Sequence, residues 1–319
     1  RAFGDRGRIE GELRQIGRRR QQRARRAGAM DVLRTDLLQA WRSFARRPGI
    51  PLLVIVLLSL GIGAGTAVFS LVDAVVLNPV AVTRPAALLA VNEGTDGATS
   101  GSGFSYPMLG ELRRAEQHVD GIAGHLSTSV GVRAGEHAEQ VQGSFVTGNY
   151  FSVLGVRPEG GRMLQDADEA MPGSTPYVVV SESFWRRALG ADPAAIGRTI
   201  HVNELALEVV GVAPARFRGT DLSRPVDLWM PVTMIQHVGR GGLWSSPELL
   251  ETWYFNVIAA VARLRPGSTM EGAVAELRTL YAGALSQVPE QEFVMEARTD
   301  RTVVAMPFTE ATVAGSRED

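Results

Sequence analysis

PLLVIVLLSLGIGAGTAVFSLVDAVVL, Pro51–Leu77, is the stretch whose reading decides the architecture of this chain. From Leu52 to Val72 it holds no charged residue, and Asp73 comes only near its far end. About 20 apolar residues at 1.5 Å each cross a hydrocarbon core of roughly 30 Å. A buried soluble helix is one competing reading, but such helices seldom run so long without a polar face. A cleaved signal peptide is another, and its apolar region is usually only about 7–15 residues. The run continues past Gly61 to Leu77, so the residues favour a retained transmembrane helix over 51–77.

The charge on either side sets its direction. Residues 1–50 carry 14 Arg against five acids, a net of +9, and the remainder carries 19 Arg against 29 acids, a net of -10. A run such as RRRQQRARR (Arg18 to Arg26) reads as a segment held near anionic lipid or as a nucleic-acid arm. The apolar span that follows favours the first. Arg42, Arg46 and Arg47 precede the span, and the positive-inside rule then places the N-terminus in the cytoplasm. Everything after Asn78–Pro79 is expected on the outer side, with no nucleic acid as partner. Within the span, Gly61, Gly63 and Gly65 let another backbone approach, and Gly61 and Gly65 have the small-xxx-small spacing of paired membrane helices. GIGAG is not a dinucleotide fingerprint, because no strand precedes it.

The composition removes several chemistries. All 33 basic residues are Arg, so there is no P-loop lysine and no Schiff base. Cysteine is absent, which excludes disulfides, thiolate nucleophiles and Cys-ligated metals. His118, His125, His137, His201 and His237 have no metal-binding spacing, and no GxSxG elbow occurs. Asp166, Asp168 and Glu169 read as a polar turn after Gly160–Gly161. Trp185, Trp229, Trp244 and Trp253 read as core ahead of a ligand cleft. We therefore expect no catalytic, cofactor or metal site.

The outer region reads as α+β. Ala87–Glu93 is strand-like, and Ser105-Tyr106-Pro107 opens a helix carrying Met108, Leu109 and Leu112. GIAGHLSTSVGVRA and EQVQGSFV follow as strands around GEH. Tyr177–Val180 is a buried strand, and Ser181 caps a helix with Phe184, Trp185 and Leu189. Residues 199–202 and 205–212 pair as a hairpin around Asn203–Glu204, and DLWMPV is a further strand. WYFNVIAAVARL is read as one long strand, and Ser268 as the cap of a helix with Ala273, Leu277, Leu280 and Leu285 on one face. FVMEA and TVVAMPF follow as strands. Strand–helix–strand at both ends predicts a split-βαβ (ferredoxin-like) lobe over about 80–148 and 250–315, with a mostly-β lobe inserted over about 149–249.

These blocks resemble the permease subunits of MacB/FtsX-type ABC transporters. SLGIGAGTAVFSLVDAVVLNPV looks like that family's first membrane helix, and GNYFSVLGVRPEGGRML resembles its motif of Tyr-Phe, Leu-Gly and Gly-Arg. VVVSESFWRRALGADPAAIGRTIHVN, ALEVVGVAPARFRG, DLWMPV and VARLRPGSTMEGAVAEL continue in family order through the periplasmic core domain. RAFGDRGRIEGELRQ resembles the end of a prefix domain in a branch of duplicated orphan permeases, which makes Met30 internal and residues 1–50 an Arg-rich cytoplasmic segment. The family continues into further membrane helices, so a chain with one span and a first residue Arg1 is expected to be a fragment. The resemblance implies a core domain over 78–315, a lipid bilayer, a separate ABC ATPase subunit, and a homodimer or pseudo-dimer in the inner membrane. It also makes Asn78 and Pro79 a helix–domain joint, where the plainer reading is a helix stop. Arg42, Arg46 and Arg47 then either meet the ATPase or only orient the helix in lipid. The alternative is a membrane-anchored extracytoplasmic binding or adhesion domain without transport activity.

Overall fold

Period-2 alternation sorts apolar side chains to both faces of one sheet in this structure, a computed structural model that describes residues 53, 57–63, 82–98, 101–169, 176–221, 224–239, 246–288 and 300–314. Two units are distinguished, Arg1–Ala74 and Val75–Asp319. In the first, residues 57–63 are helical, and Leu57, Leu58, Leu60 and Ile62 expose their side chains. Among the described residues no helix is long and apolar enough to cross a membrane. Leu53 is helical and exposed as well, and the remaining residues of the expected 51–77 helix lie outside the described residues.

The second unit runs, in chain order, β1 (Leu88–Thr95), α1 (Tyr106–Leu112), β2 (Val119–Ala134), β3 (His137–Val146), α2 (Tyr150–Leu154), β4 (Gly160–Gly161), α3 (Asp166–Glu169), β5 (Tyr177–Ser181), α4 (Glu182–Leu189), β6 (Thr199–Val202), β7 (Leu205–Ala213), β8 (Leu228–Pro231), α5 (Ile235–Val238), β9 (Ala259–Leu264), α6 (Met270–Leu285), β10 (Arg301–Pro307) and α7 (Phe308–Ala314). The strands form one hydrogen-bonded path, β10-β1-β9-β2-β3-β8-β5-β7-β4, with β6 pairing both β2 and β7. In β10-β1-β9-β2 every neighbour is antiparallel, α1 connects β1 to β2, and α6 connects β9 to β10. That is the order of a split-βαβ unit. The 16-residue β2 carries the sheet onward, pairing β9 along its first part and β3 along its last.

Local chemistry explains the boundaries. Ser105 and Ser181 accept from the amides of Met108 and Phe184 and so cap α1 and α4. Asn203 and Glu204 both have positive φ, 46° and 79°, the geometry of a two-residue hairpin turn. The cap of α6 is Thr269, which accepts from Gly272, and not Ser268. Its buried face is Ala273, Leu277, Tyr281 and Ala284, with Leu280 and Leu285 at the margin. The strand read from Trp253 starts only at Ala259. Before it the amides of Asn256 and Val257 turn back onto the carbonyls of Tyr254 and Phe255, which takes that segment out of the ladder. FVMEA lies outside the described residues.

Two apolar layers result. One contains Leu89, Val91, Phe104, Met108, Leu109, Leu112 and Leu277, beneath α1 and α6. The other contains Leu88, Val146, Tyr150, Phe151, Leu154, Phe217 and Trp229, beneath α2. Adjacent residues of β5 divide between them, Val178 and Val180 facing the first layer and Val179 the second. Glu276 of α6 fixes the loop before β2 by accepting the amides of Glu116, Gln117 and His118 at 2.7–2.8 Å. Burial pushes its carboxyl upward, but the three N–H groups outweigh that and hold it below its ordinary value.

Candidate functional site

The segment Asn149-Tyr-Phe-Ser-Val-Leu-Gly155 forms the short helix α2 and its cap. Tyr150, Phe151, Val153 and Leu154 are buried against the second layer. Five residues cannot satisfy their own terminal carbonyls, so the partners must come from elsewhere. Gly155 turns left-handed at φ 67°, and the amides of Gly155 and Val156 return to the carbonyls of Ser152 and Phe151. The carbonyl of Leu154 accepts from the amide of Thr83 at 3.0 Å. The Thr83 hydroxyl donates to the carbonyl of Gly155 at 2.8 Å. The carbonyl of Val153 accepts from Nε of Arg263 on β9.

Thr83 belongs to the chain just before β1, so α2 grips the domain's incoming strand of polypeptide. The fit is close. A Cβ at Gly155 would lie 2.6 Å from Thr83 Cβ and 2.7 Å from its Oγ1. Val82 packs against the same apolar layer, and so does Phe308 at the start of α7. α7 also touches the 85–87 turn, β1 and β10. Val82 on the incoming chain and Phe308 near the end of the described residues therefore share one apolar cluster.

A second junction ties the first βαβ layer to the strands that follow. Glu169 is 6% exposed and accepts from Tyr106 at 2.8 Å, from Arg113 at 3.0 and 3.1 Å, and from the amide of Gly148 at 2.8 Å. Arg113 also meets Asp166 at 3.0 Å. Burial, and then the Glu169 carboxylate, push the Tyr106 phenol well above its ordinary range. Asp168 is buried too and holds Arg162 through two bonds, 2.6 and 3.0 Å. The acids read as a polar turn are thus the short helix α3, with two buried carboxylates.

Of the residues named from the sequence, Gly61 and Gly63 lie in the described helical segment, with open space where a Cβ would stand. Gly65, Arg42, Arg46, Arg47, Asn78 and Pro79 lie outside the described residues. Trp229 is core. An open groove of about 660 Å³ lies along the β2–β3 hairpin, lined by Arg133, Glu139, Gln140, His201 and Asn203 among others.

The sequence model of the MacB-like periplasmic core domain matches residues 52–280, most of the chain. The chain belongs to this family. A 121-residue stretch is 33% identical to the macrolide export ATP-binding/permease protein MacB 1/2 of Paracoccus denitrificans, covering 38% of this chain and 18% of that protein. A 124-residue stretch is 27% identical to the corresponding MacB protein of Rhodopseudomonas palustris, covering 39% of this chain and 19% of that one. The matched stretches thus span under a fifth of these curated relatives. In fold, the periplasmic core domain is similar to the periplasmic region of MacB from Actinobacillus actinomycetemcomitans (TM-score 0.50, 15% identity, 73% of this chain and 94% of that one). It is equally similar to a permease-protein domain from Porphyromonas gingivalis (TM-score 0.50, 16% identity, 74% and 100%). The motif of Tyr-Phe, Leu-Gly and Gly-Arg is, in this core domain, the α2 grip and the Arg162–Asp168 pair.

Two outcomes follow. Gly155→Ala should destabilise the domain more than Gly190→Ala. Both glycines have φ 67°, so both variants carry the left-handed backbone cost of about 1–2 kcal/mol, but only at 155 does the new Cβ strike a neighbour. Chemical denaturation of the two variants measures the difference, and equal losses would remove the grip.

His125 lies 3.1 Å from the Thr220 hydroxyl, and Tyr150 donates to the same hydroxyl at 3.3 Å. Burial lowers the His125 imidazole to about 4, with the Asp221 carboxylate acting the other way. The unfolded chain then takes up its proton first. The neutral-His contribution is complete above about pH 6.5 and is lost as the pH falls toward 4. Denaturation midpoints at pH 7 and pH 5 should differ more in the native chain than in His125→Gln.

Proposed function

We propose that the chain is part of a permease subunit of a MacB/FtsX-type ABC transporter, working as a transmission element and not as an enzyme. The observation that carries this reading is the hold of the end of α2 on the incoming Thr83, with Val82 and Phe308 packed in the same apolar cluster as α2. In the proposed topology the Arg-rich head is cytoplasmic, 51–77 spans the inner membrane, and the core domain is periplasmic. A separate chain binds and hydrolyses ATP, and two permeases or permease halves pair through helices such as the one bearing Gly61, Gly63 and Gly65.

Physics supports a push and not a reaction at this joint. Displacing the polypeptide before β1 pulls on Thr83, which is held by two hydrogen bonds to the end of α2. α2 packs on β2 and β9, so the load enters the sheet directly. β2 then spans about 50 Å, at roughly 3.3 Å per residue, to the far hairpin. The Glu169–Arg113 junction keeps the rest of the domain moving with it. Asn78 and Pro79 stand between the apolar stretch and this grip in the sequence, where a stiff connection would be needed.

Protease treatment of spheroplasts expressing the full chain tests the reading. Cleavage is expected after residue 78 from outside, with the 1–50 segment protected, and an ATPase should be recovered on pull-down. Cleavage of the Arg-rich head alone would reverse the topology and end the proposal.

A further inference from the structure

Arg263 carries a cost that the rest of the site does not explain. It is 5% exposed and sits at the β9 position paired with Leu88 on one side and Gly121 on the other. Its Nε is used by the Val153 carbonyl, while Nη1 and Nη2 are buried without a hydrogen-bond partner among the described residues. A buried guanidinium left half-satisfied is unfavourable unless an acceptor arrives. Two groups act on it electrostatically. Arg84, exposed on the incoming chain, repels it; Asp120 attracts it but makes no hydrogen bond to it. Arg84 follows Thr83, which is bonded to Leu154 next to the Val153 carbonyl that takes Arg263 Nε, so an exposed cation stands on the chain beside these idle N–H donors. A guanidinium fork matches the paired oxygens of a phosphate.

We propose that Arg263 and Arg84 form a binding site for a phosphate-class oxyanion, supplied by the headgroup of an anionic phospholipid. The exposed Arg84 marks the side from which the anion arrives. The headgroup source rests on the topology proposed above, because Arg84 follows the end of the apolar stretch at Leu77 by only a few residues. Bound there, the anion would bridge the incoming chain to β9 and the end of α2. Lipid composition would then set how firmly the joint is held.

The test uses the full chain in nanodiscs of phosphatidylcholine alone or with added phosphatidylglycerol. A parallel arm adds inorganic phosphate in place of chloride, at equal ionic strength, to the phosphatidylcholine discs. Thermal unfolding of the outer domain is followed by tryptophan fluorescence. The anionic lipid should raise the midpoint by roughly 2–4 °C, an effect of ligand linkage. Arg263→Gln should abolish the shift, and the exposed Arg84→Gln, which leaves the core untouched, should at least halve it. Should Arg263→Gln not fold, Arg84→Gln decides alone. A shift with phosphate and none with phosphatidylglycerol supports the site but assigns it to a soluble anion. The same holds if spheroplast proteolysis reverses the topology while the phosphate shift persists. No shift in either arm, or an undiminished shift in Arg84→Gln, overturns the proposal.

Discussion

The unmet carbonyls at the end of a five-residue helix are the constraint on which this domain is built. α2 is too short to be stable by its own hydrogen bonds. It persists because Thr83, from before the first strand, and Arg263, from β9, supply the missing donors at Leu154 and Val153. Those donors arrive only if the incoming chain, the helix and the sheet are already in register. The lack of a side chain at Gly155 lets Thr83 come close enough to take part. A motif that looks like an aromatic pair followed by a small residue is thus a clamp on the polypeptide that enters the domain.

The rest of the architecture is tied to the clamp by hydrogen bonds. A single hydrogen-bonded path of strands runs from β10 to β4. No step of it relies on side-chain packing alone. The junction at Glu169 adds a partly buried charge pair where the first βαβ layer meets the later strands. Removing Arg113 would leave the buried Glu169 carboxylate with only Tyr106 and the Gly148 amide, which is costlier than losing an exposed bridge. Glu276, held by three amides, gives the loop before β2 the same fixity.

What could be read from the sequence was whatever local chemistry specifies. The hairpin at Asn203–Glu204, the serine caps at Ser105 and Ser181, and the split strand–helix–strand runs are fixed by residues within a few positions of one another. The two-faced sheet was half visible, since VVV at 178–180 is apolar throughout and so is buried on both sides. Long-range partnerships were hidden. Arg113 finds Glu169 and Glu276 finds the 116–118 amides across wide sequence separations, and no periodicity announces either. The one available hint for Arg263 was a charge in the interior of the apolar strand Ala-Ala-Val-Ala-Arg-Leu. The long strand from Trp253 failed because turn hydrogen bonds at 254–257 outcompeted β propensity.

The account stands on the bond from the Thr83 amide to Leu154, and amide hydrogen exchange reads that bond directly. If the incoming chain is clamped, the Thr83 amide should be protected to the same degree as the amides of β1 and β9, and should lose that protection in Gly155→Ala. Exchange at the rate of an open amide in the native chain would contradict the clamp, and the transmission reading would go with it.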